Sequence, residues 1–340
     1  MKKIFFIYSL LISLFFPAFS FAEEDSAIII MYHKFGEENF PTTNVTLDQI
    51  DAHIAELSKD QYNIVPLKEI VDAFNKGQTL QERTIAITID DGYLSIYQEG
   101  WPRFKEAGIP ITIFISTESI NDNNTNSMTW DQIRELEKEP MIDIGHHGHA
   151  HSHMAELSIS DALNDLDTAD QIFTEELGYI PEIFAYPYGE YSSELIKSIA
   201  PRNYTAVFGQ YSSAASSTQN MMALPRFAFN ESYSNLNRFK LIINSRALPV
   251  RDLLPTSQEI TVNPPAIGFT VDGDINGLSS LGCFPSHMSE AATVTQLGEK
   301  RIEIRFDEPF PVGRSRLNCT MPGPDNRWYW FGLPFFNLGE

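Results

Sequence analysis

Cysteine is scarce in this 340-residue chain, which holds only Cys283 and Cys319, both near the C-terminus. No third or fourth sulfur or histidine accompanies the pair at ligand spacing, so a structural zinc site built on them is excluded. Neither cysteine follows the N-terminal apolar run, so a lipoprotein anchor has no attachment point. That run is itself short of the roughly 20 apolar residues that a membrane span requires. Basic residues are few, with 24 Lys and Arg against 45 Asp and Glu and a net charge of −21. Nucleic acid and anionic lipid are bound through neutralised phosphates, so so acidic a chain fits neither, and a neutral or cationic substrate fits better. Internal repeats and low-complexity stretches are absent.

What is present begins with Lys2 and Lys3, an apolar stretch from Ile4 to Phe16, Pro17, and the small-residue stop Ser20-Phe21-Ala22 before Glu23. This is the three-part layout of a secretory signal peptide, with cleavage expected after Ala22, export to a periplasm or the extracellular space, and no stable membrane anchor afterwards. In an exported chain an even pair of cysteines within one segment favours a disulfide. Closing a loop of that size would stabilise by roughly 3 to 4 kcal/mol in the chain-entropy model.

Buried strands are expected at Ala27 to Tyr32, Thr84 to Ile89, Ile111 to Ile115, Ile142 to Gly145, Ile183 to Tyr186 and Thr205 to Phe208, each a short apolar run. Segments of helical spacing alternate with them: Leu47 to Lys59, Leu67 to Lys76, Trp101 to Ala107, Thr129 to Lys138, Ser158 to Leu177 and Ser192 to Ala200. Such alternation argues for a parallel sheet, open or closed into a barrel, whose chemistry collects at the C-terminal strand ends. From about Leu254 the texture changes to short strands separated by Gly, Pro and Asp turns, the pattern of a β-sandwich. The expected organisation is therefore a signal peptide over 1–22, an α/β unit over 23–254 and a small all-β sandwich over 255–340.

Four groups of polar residues fall at or just beyond the expected strand ends: His33, the pair Asp90-Asp91, His147 and Tyr188. Asp90 and Asp91 would point to opposite faces of a continuing strand, but a turn at Gly92 lets both reach one rim. His147 and His151 are four apart, a spacing that lets two imidazoles meet one metal on a helical turn. Gly148 follows His147, so the general base of the His-Glu-x-x-His zinc proteases is lacking. His146, His149 and His153 could alternatively make this a loop that scavenges metal without chemistry. An acid pair plus two histidines offers both a base and a divalent metal site, enough to hydrolyse an unactivated amide or ester.

These residues resemble the polysaccharide deacetylases of the NodB-homology group, carbohydrate esterase family 4. Thr88-Ile89-Asp90-Asp91-Gly92 matches that family's Thr-Phe-Asp-Asp-Gly motif, His147, His151 and Met154 match its histidine motif, and Ala185-Tyr186-Pro187-Tyr188-Gly189 aligns with its Arg-x-Pro-Tyr-Gly motif. Met31-Tyr32-His33 looks like the start of many such domains, and the resemblance covers roughly residues 27 to 246. It implies a distorted (β/α) barrel with a divalent metal, usually zinc, held by Asp91, His147 and His151, with Asp90 as general base and the backbone N–H of Tyr188 on the oxyanion. The implied reaction removes N-acetyl groups from an amino-sugar polysaccharide.

Two departures stand against the family pattern. Ala185 replaces the arginine that orients the catalytic aspartate, so Asp90 must be positioned by something else. The late Leu-x-Ile-His motif is missing as well, and His33 is the candidate substitute for protonating the departing amine. Two rivals stay open: an amide hydrolase acting on a non-glycan substrate, and a catalytically impaired glycan-binding or assembly protein that keeps the metal. In the C-terminal part, Arg327-Trp328-Tyr329-Trp330-Phe331 reads as a core strand of the sandwich rather than a sugar-stacking face.

Overall fold

The six expected apolar strands and a seventh, unexpected one assemble into one curled parallel sheet in the structure, a computed structural model describing residues 23–122 and 124–339. The expected signal peptide at 1–22 lies outside the described residues. In chain order the strands are β1 (Ala27–Tyr32), β2 (Thr84–Asp91), β3 (Ile111–Ile115), β4 (Ile142–His146), β5 (Ile183–Ala185), β6 (Ala206–Phe208) and β7 (Phe227–Ala228). They lie in the order β6-β5-β4-β3-β2-β1-β7, with Asn63–Ile64 adding a short parallel pairing on β2. A parallel bridge between Phe208 and Leu224 spans the gap between the two edges, so the sheet curls most of the way into a barrel. That is the distorted (β/α) barrel expected from the alternation of strands and helices.

The period-two pattern of β2 shows how sequence becomes layer. Ile85, Ile87 and Ile89 join a core cluster with Ile50 and Leu57 of the helix Leu47–Leu57 and with Phe104 of the helix Trp101–Glu106. Ala86, on the opposite face, clusters instead with Ile29, Phe114, Ala185 and Phe208, and Thr88 and Asp90 continue that inward row. Helix ends are set by local chemistry. Thr46 and Thr129 form capping boxes with Gln49 and Gln132, and Gly178, at φ 84°, closes the long helix Ile159–Leu177 in the left-handed conformation only glycine adopts freely.

The C-terminal residues form two four-stranded sheets. One pairs Arg246–Ala247 (β8) with Trp328–Asn337 (β15), then Gly313–Pro322 (β14) and Gly282–Pro285 (β11). The other pairs Val250–Leu254 (β9), Ile267–Val271 (β10), Arg301–Arg305 (β13) and Thr293–Leu297 (β12). The expected disulfide between Cys283 and Cys319 is formed, across directly paired positions of β11 and β14. Within the aromatic segment Phe331 packs on Phe269 in the sandwich core, whereas Trp330 sets its ring edge-on against Phe227 of the barrel at 5.1 Å. Arg327, 2% exposed, makes two hydrogen bonds to the carboxylate of Glu24, at 2.9 and 2.8 Å. This strand therefore joins the two parts as much as it fills the sandwich. No helix among the described residues is long and apolar enough to cross a membrane.

Candidate active site

Asp90 and Asp91 end β2, and the alternation of a strand would send them to opposite faces. The backbone resolves the conflict at Asp91, which takes φ 78° and is followed by Gly92 at φ 77°. A left-handed non-glycine residue costs about 1 to 3 kcal/mol and persists only where its surroundings impose it. Here it swings the second carboxylate onto the rim beside the first. His151 at φ 50° and Tyr188 at φ 57° carry the same kind of strain, so three residues of one site lie in this sparsely populated region.

His147 follows β4 directly, and its Nδ1–H donates to the Ala185 carbonyl at 2.7 Å, which leaves the Nε2 lone pair free. That Nε2 lies 3.3 Å from Asp91 Oδ1, and His151 Nε2 lies 3.1 Å from the same oxygen. The expected helical turn between the two histidines is not there. Residues 147–153 form an irregular loop, turned by Gly148 at φ 76°, because the Asp165 carboxylate captures the backbone N–H groups of His149 and Ala150 at 2.8 Å each. A Cβ on Gly148 would meet Asp165 Oδ1 at 2.9 Å and Met154 Cε at 3.0 Å.

The other histidines of the run face elsewhere. His146 is fully buried, bonds Asp170 through Nε2 at 3.1 Å and accepts the Gly148 N–H on Nδ1. His149 meets Thr117 Oγ1, and His153 meets Glu190 while stacking flat on Tyr188 at 3.9 Å. The loop is therefore not an undirected cluster of imidazoles: His147 and His151 converge on one carboxylate, and each of the other three has a different partner.

Asp91 Oδ1 is buried and has no hydrogen-bond donor, although two imidazole nitrogens stand beside it. With Nδ1–H of His147 given to Ala185, it is Nε2 that turns toward Asp91, the atom through which the ring can bind a metal. The ligand atoms of Asp91, His147 and His151 all lie within 4.8 Å of one another, close enough to share one cation. One carboxylate oxygen and two imidazole nitrogens make a donor set suited to zinc and its neighbours. Burial alone would raise the Asp91 carboxyl, but the two imidazoles outweigh it and hold the group well below the usual carboxylate range. Burial would lower His151, yet Asp91, with Asp90 and Asp165 behind it, raises its pKa above the ordinary imidazole value.

Asp90 lies deeper, 2% exposed, with Oδ2 4.0 Å from His147 Nε2. Its positioning group is Arg226, which sequence reasoning missed. Nη1 and Nη2 donate to Oδ1 and Oδ2 at 2.7 and 2.8 Å, a fork-to-fork pair, while Nε donates to the Gly209 carbonyl and Nη1 also reaches Thr88 Oγ1. The guanidinium carbon sits 5.2 Å from the Phe114 ring centroid. Burial pushes the Asp90 carboxyl up, and Arg226 and His147 more than reverse that, so it remains ionised. Arg226 thus fills the role left open by Ala185, from a position 41 residues further along the chain. Its signal in the sequence was an arginine alone in the apolar stretch Ala223-Leu224-Pro225-Arg226-Phe227.

His33, just past β1, is half-buried and within the electrostatic reach of the site: burial lowers its pKa, Asp91 and Asp90 raise it, and Arg226 and His147 lower it again, with a net fall. Tyr188 lies in the turn Pro187–Gly189 after β5, with its ring 4.5 Å from that of His151. Its backbone N–H has no acceptor among the described residues. A polar cavity of about 240 Å³ opens against Asp91 and His151, lined also by Tyr93, Ser116, Glu118 and Ser127.

Comparison with known proteins reaches the same segment. The family model for polysaccharide deacetylases matches residues 77–207, which hold Asp90, Asp91, His147, His151 and Tyr188 but neither His33 nor Arg226. The Bacillus subtilis protein YxkH is 27% identical over 198 residues, 58% of this chain and 69% of that one. The poly-β-1,6-N-acetyl-D-glucosamine N-deacetylase of Staphylococcus aureus is 22% identical over 234 residues, 62% of this chain and 80% of the relative. Among solved structures, the Streptococcus pyogenes deacetylase PplD in complex with acetate superposes with a TM-score of 0.59 at 17% identity, covering 64% of this chain and 98% of that one. IcaB from Ammonifex degensii gives 0.55 at 19% identity, covering 65% and 97%. Residues 77–207 thus match the polysaccharide deacetylase family model, and the curled parallel sheet that carries them has the fold of deacetylases of known structure.

Proposed function

We propose that the chain is an exported, metal-dependent enzyme that removes N-acetyl groups from an amino-sugar polysaccharide. Residues 23–254 would carry the chemistry and 255–340 the appended module, with 246–254 as a seam whose strands pair into the module's sheets. The staphylococcal relative is named for poly-β-1,6-N-acetyl-D-glucosamine, which makes that polymer the first substrate to test. One observation carries the reading: the donorless Asp91 Oδ1, faced by two Nε2 atoms, lies beside a second carboxylate locked by an arginine.

Asp91, His147 and His151 would hold the divalent ion, zinc first among the candidates. The ion supplies Lewis acidity, making water a competent nucleophile near neutral pH and polarising the acetyl carbonyl. Asp90 accepts the proton of the attacking water, since Arg226 keeps it ionised and aimed. Tyr188 offers its unpaired N–H to the developing oxyanion. The proton that Asp90 takes from the water is the one the departing amine needs, and His33, whose pKa burial lowers, relays it to the amine nitrogen as the C–N bond breaks. The acetyl group leaves as acetate, and the glycan retains a free amine.

The test is acetate release from poly-β-1,6-N-acetyl-D-glucosamine and chito-oligosaccharides, with chelator and with zinc restored. Release that chelator abolishes and zinc recovers supports the reading. No release from any acetylated sugar by zinc-loaded protein contradicts it.

A further inference from the structure

Tyr188 holds a strained conformation, and part of what holds it comes from the other end of the chain. Its carbonyl accepts a hydrogen bond from Nη1 of Arg314, a residue of β14 in the C-terminal sandwich. The same nitrogen donates to Gln210 Oε1 at 3.2 Å, so the guanidinium bridges two loops of the barrel. The peptide that it grips is fixed at its other polar atom as well, because Gly189 N–H donates to the Tyr186 carbonyl at 2.8 Å. Gly189, at φ 69°, has no room to move toward Gln210, whose backbone nitrogen a Cβ would meet at 2.1 Å. On the other side of Tyr188, the His153 ring stacks flat against its phenol. The plane that follows Tyr188 is therefore locked on the carbonyl side. The plane that precedes it, which carries the Tyr188 N–H, is held by the Glu190 N–H donating to the Pro187 carbonyl at 3.3 Å, so both sides of the residue's positive-φ turn are fixed.

The placement of Arg314 is costly unless it has a purpose. It is half-buried, and among the described residues it makes no ion pair within 4.0 Å. A cation withdrawn from water without a partner carboxylate is unfavourable. Its strand is anchored to the barrel independently: Arg314 lies opposite Phe336, whose ring packs on Tyr191 at 5.6 Å. Glu259 Oε1 accepts the N–H of Ser193, a few residues beyond the Tyr188 turn. The sandwich is thus fastened at several points around the turn, and Arg314 is the point that touches the catalytic peptide.

We propose that Arg314 is a positioning residue of the deacetylase site, through which the C-terminal sandwich holds the Tyr188 carbonyl and so keeps this residue in the positive-φ turn that presents its N–H to the oxyanion. The inference rests on the deacetylase reading above for its catalytic meaning, while its structural meaning stands on the hydrogen bond itself. The sandwich is then part of the active site and not only a neighbour of it.

The experiment compares wild type with Arg314→Ala and Arg314→Lys in the full-length protein, scoring kcat and KM for acetate release per metal-loaded molecule, metal content, thermal midpoint and crystal structures. The expected result for Arg314→Ala is a fall in kcat of about 10- to 100-fold at near-constant KM and unchanged metal content, because one oxyanion donor is misaimed. Arg314→Lys, which restores a donor to the carbonyl, recovers a large part of kcat. The crystal structure of Arg314→Ala should show the Tyr188 peptide rotated out of its positive φ. A twofold or smaller change in kcat with the thermal midpoint lowered would make Arg314 merely structural and overturn the proposal. If wild type itself releases no acetate, the deacetylase reading has failed separately, and an unmoved Tyr188 peptide in Arg314→Ala still overturns the positioning role.

Discussion

Arg226 grips Asp90 through two parallel hydrogen bonds of 2.7 and 2.8 Å, across 136 residues of chain and out of contact with water. Removing the cation leaves a buried carboxylate unpaired, which costs about 3 to 5 kcal/mol. Arg226→Met should therefore lower the thermal midpoint markedly and cut kcat at least 100-fold. The surviving activity should need a higher pH, since His147 and His33 alone would then oppose the rise that burial imposes on the Asp90 pKa. Metal content measured on the purified variant should be retained, because Asp91, His147 and His151 are untouched.

The Asp165 carboxylate, which takes the N–H groups of His149 and Ala150, sets the loop that carries His151. Asp165→Ala leaves both amides without an acceptor and frees the loop. Outer partners of this kind are worth about 10- to 100-fold in metal affinity. Competition titration against a chromogenic chelator should show a loss of that size, and equal affinity would mean that the loop is held by something else.

Metal binding should release protons near neutrality. His151 has a raised pKa in the metal-free protein, so part of it is protonated at pH 7 and must lose that proton to become a ligand. Calorimetry in buffers of different ionisation enthalpy measures the number released, and affinity should weaken as pH falls. Linkage gives the sign for the metal-free fold. Asp91 has a depressed pKa, so its contribution is present above its ordinary 3.8 and fades as pH falls toward the folded value. His151 has a raised pKa, so its contribution is full below its ordinary 6.5 and is lost as pH rises through the folded value. Chelator-treated protein should therefore gain most from this pair between pH 3.8 and 6.5. A midpoint that keeps rising from pH 6.5 to 9 after chelation would contradict the assignment.

The Cys283–Cys319 bond ties neighbouring strands of the sandwich. Cys283→Ser/Cys319→Ser should lose about 3 kcal/mol of stability in denaturant unfolding. If Arg314 acts as argued, acetate release at low temperature should survive as long as the sandwich stays folded.

The barrel was legible because its strands are unbroken apolar runs separated by helices with clear caps; Ala27 to Tyr32 and Ile111 to Ile115 are found at the expected bounds. β7 was not, since two residues carry no period, and the helix Leu236–Ile243 went unread beside it. The residues of the proposed metal site were legible as residue types and spacings, but not their geometry. A helical turn was the simplest way to join His147 to His151, and the backbone instead turns at Gly148 under the pull of Asp165. Arg226 was invisible for a more general reason. Attention to the C-terminal ends of strands passes over a residue that precedes a strand and reaches the carboxylate from within the barrel. Contacts of that kind depend on the closure of the sheet, which no local pattern encodes.

In the proposed mechanism Asp90 takes a proton while Asp91, His147 and His151 hold the ion. The most direct measurement is acetate release by Asp90→Asn beside wild type, both zinc-loaded and both checked for metal content. Full metal content in each, acetate from wild type, and a loss of at least 100-fold in the variant are expected. Equal release by the two proteins, or loss of the metal along with the activity, would contradict it.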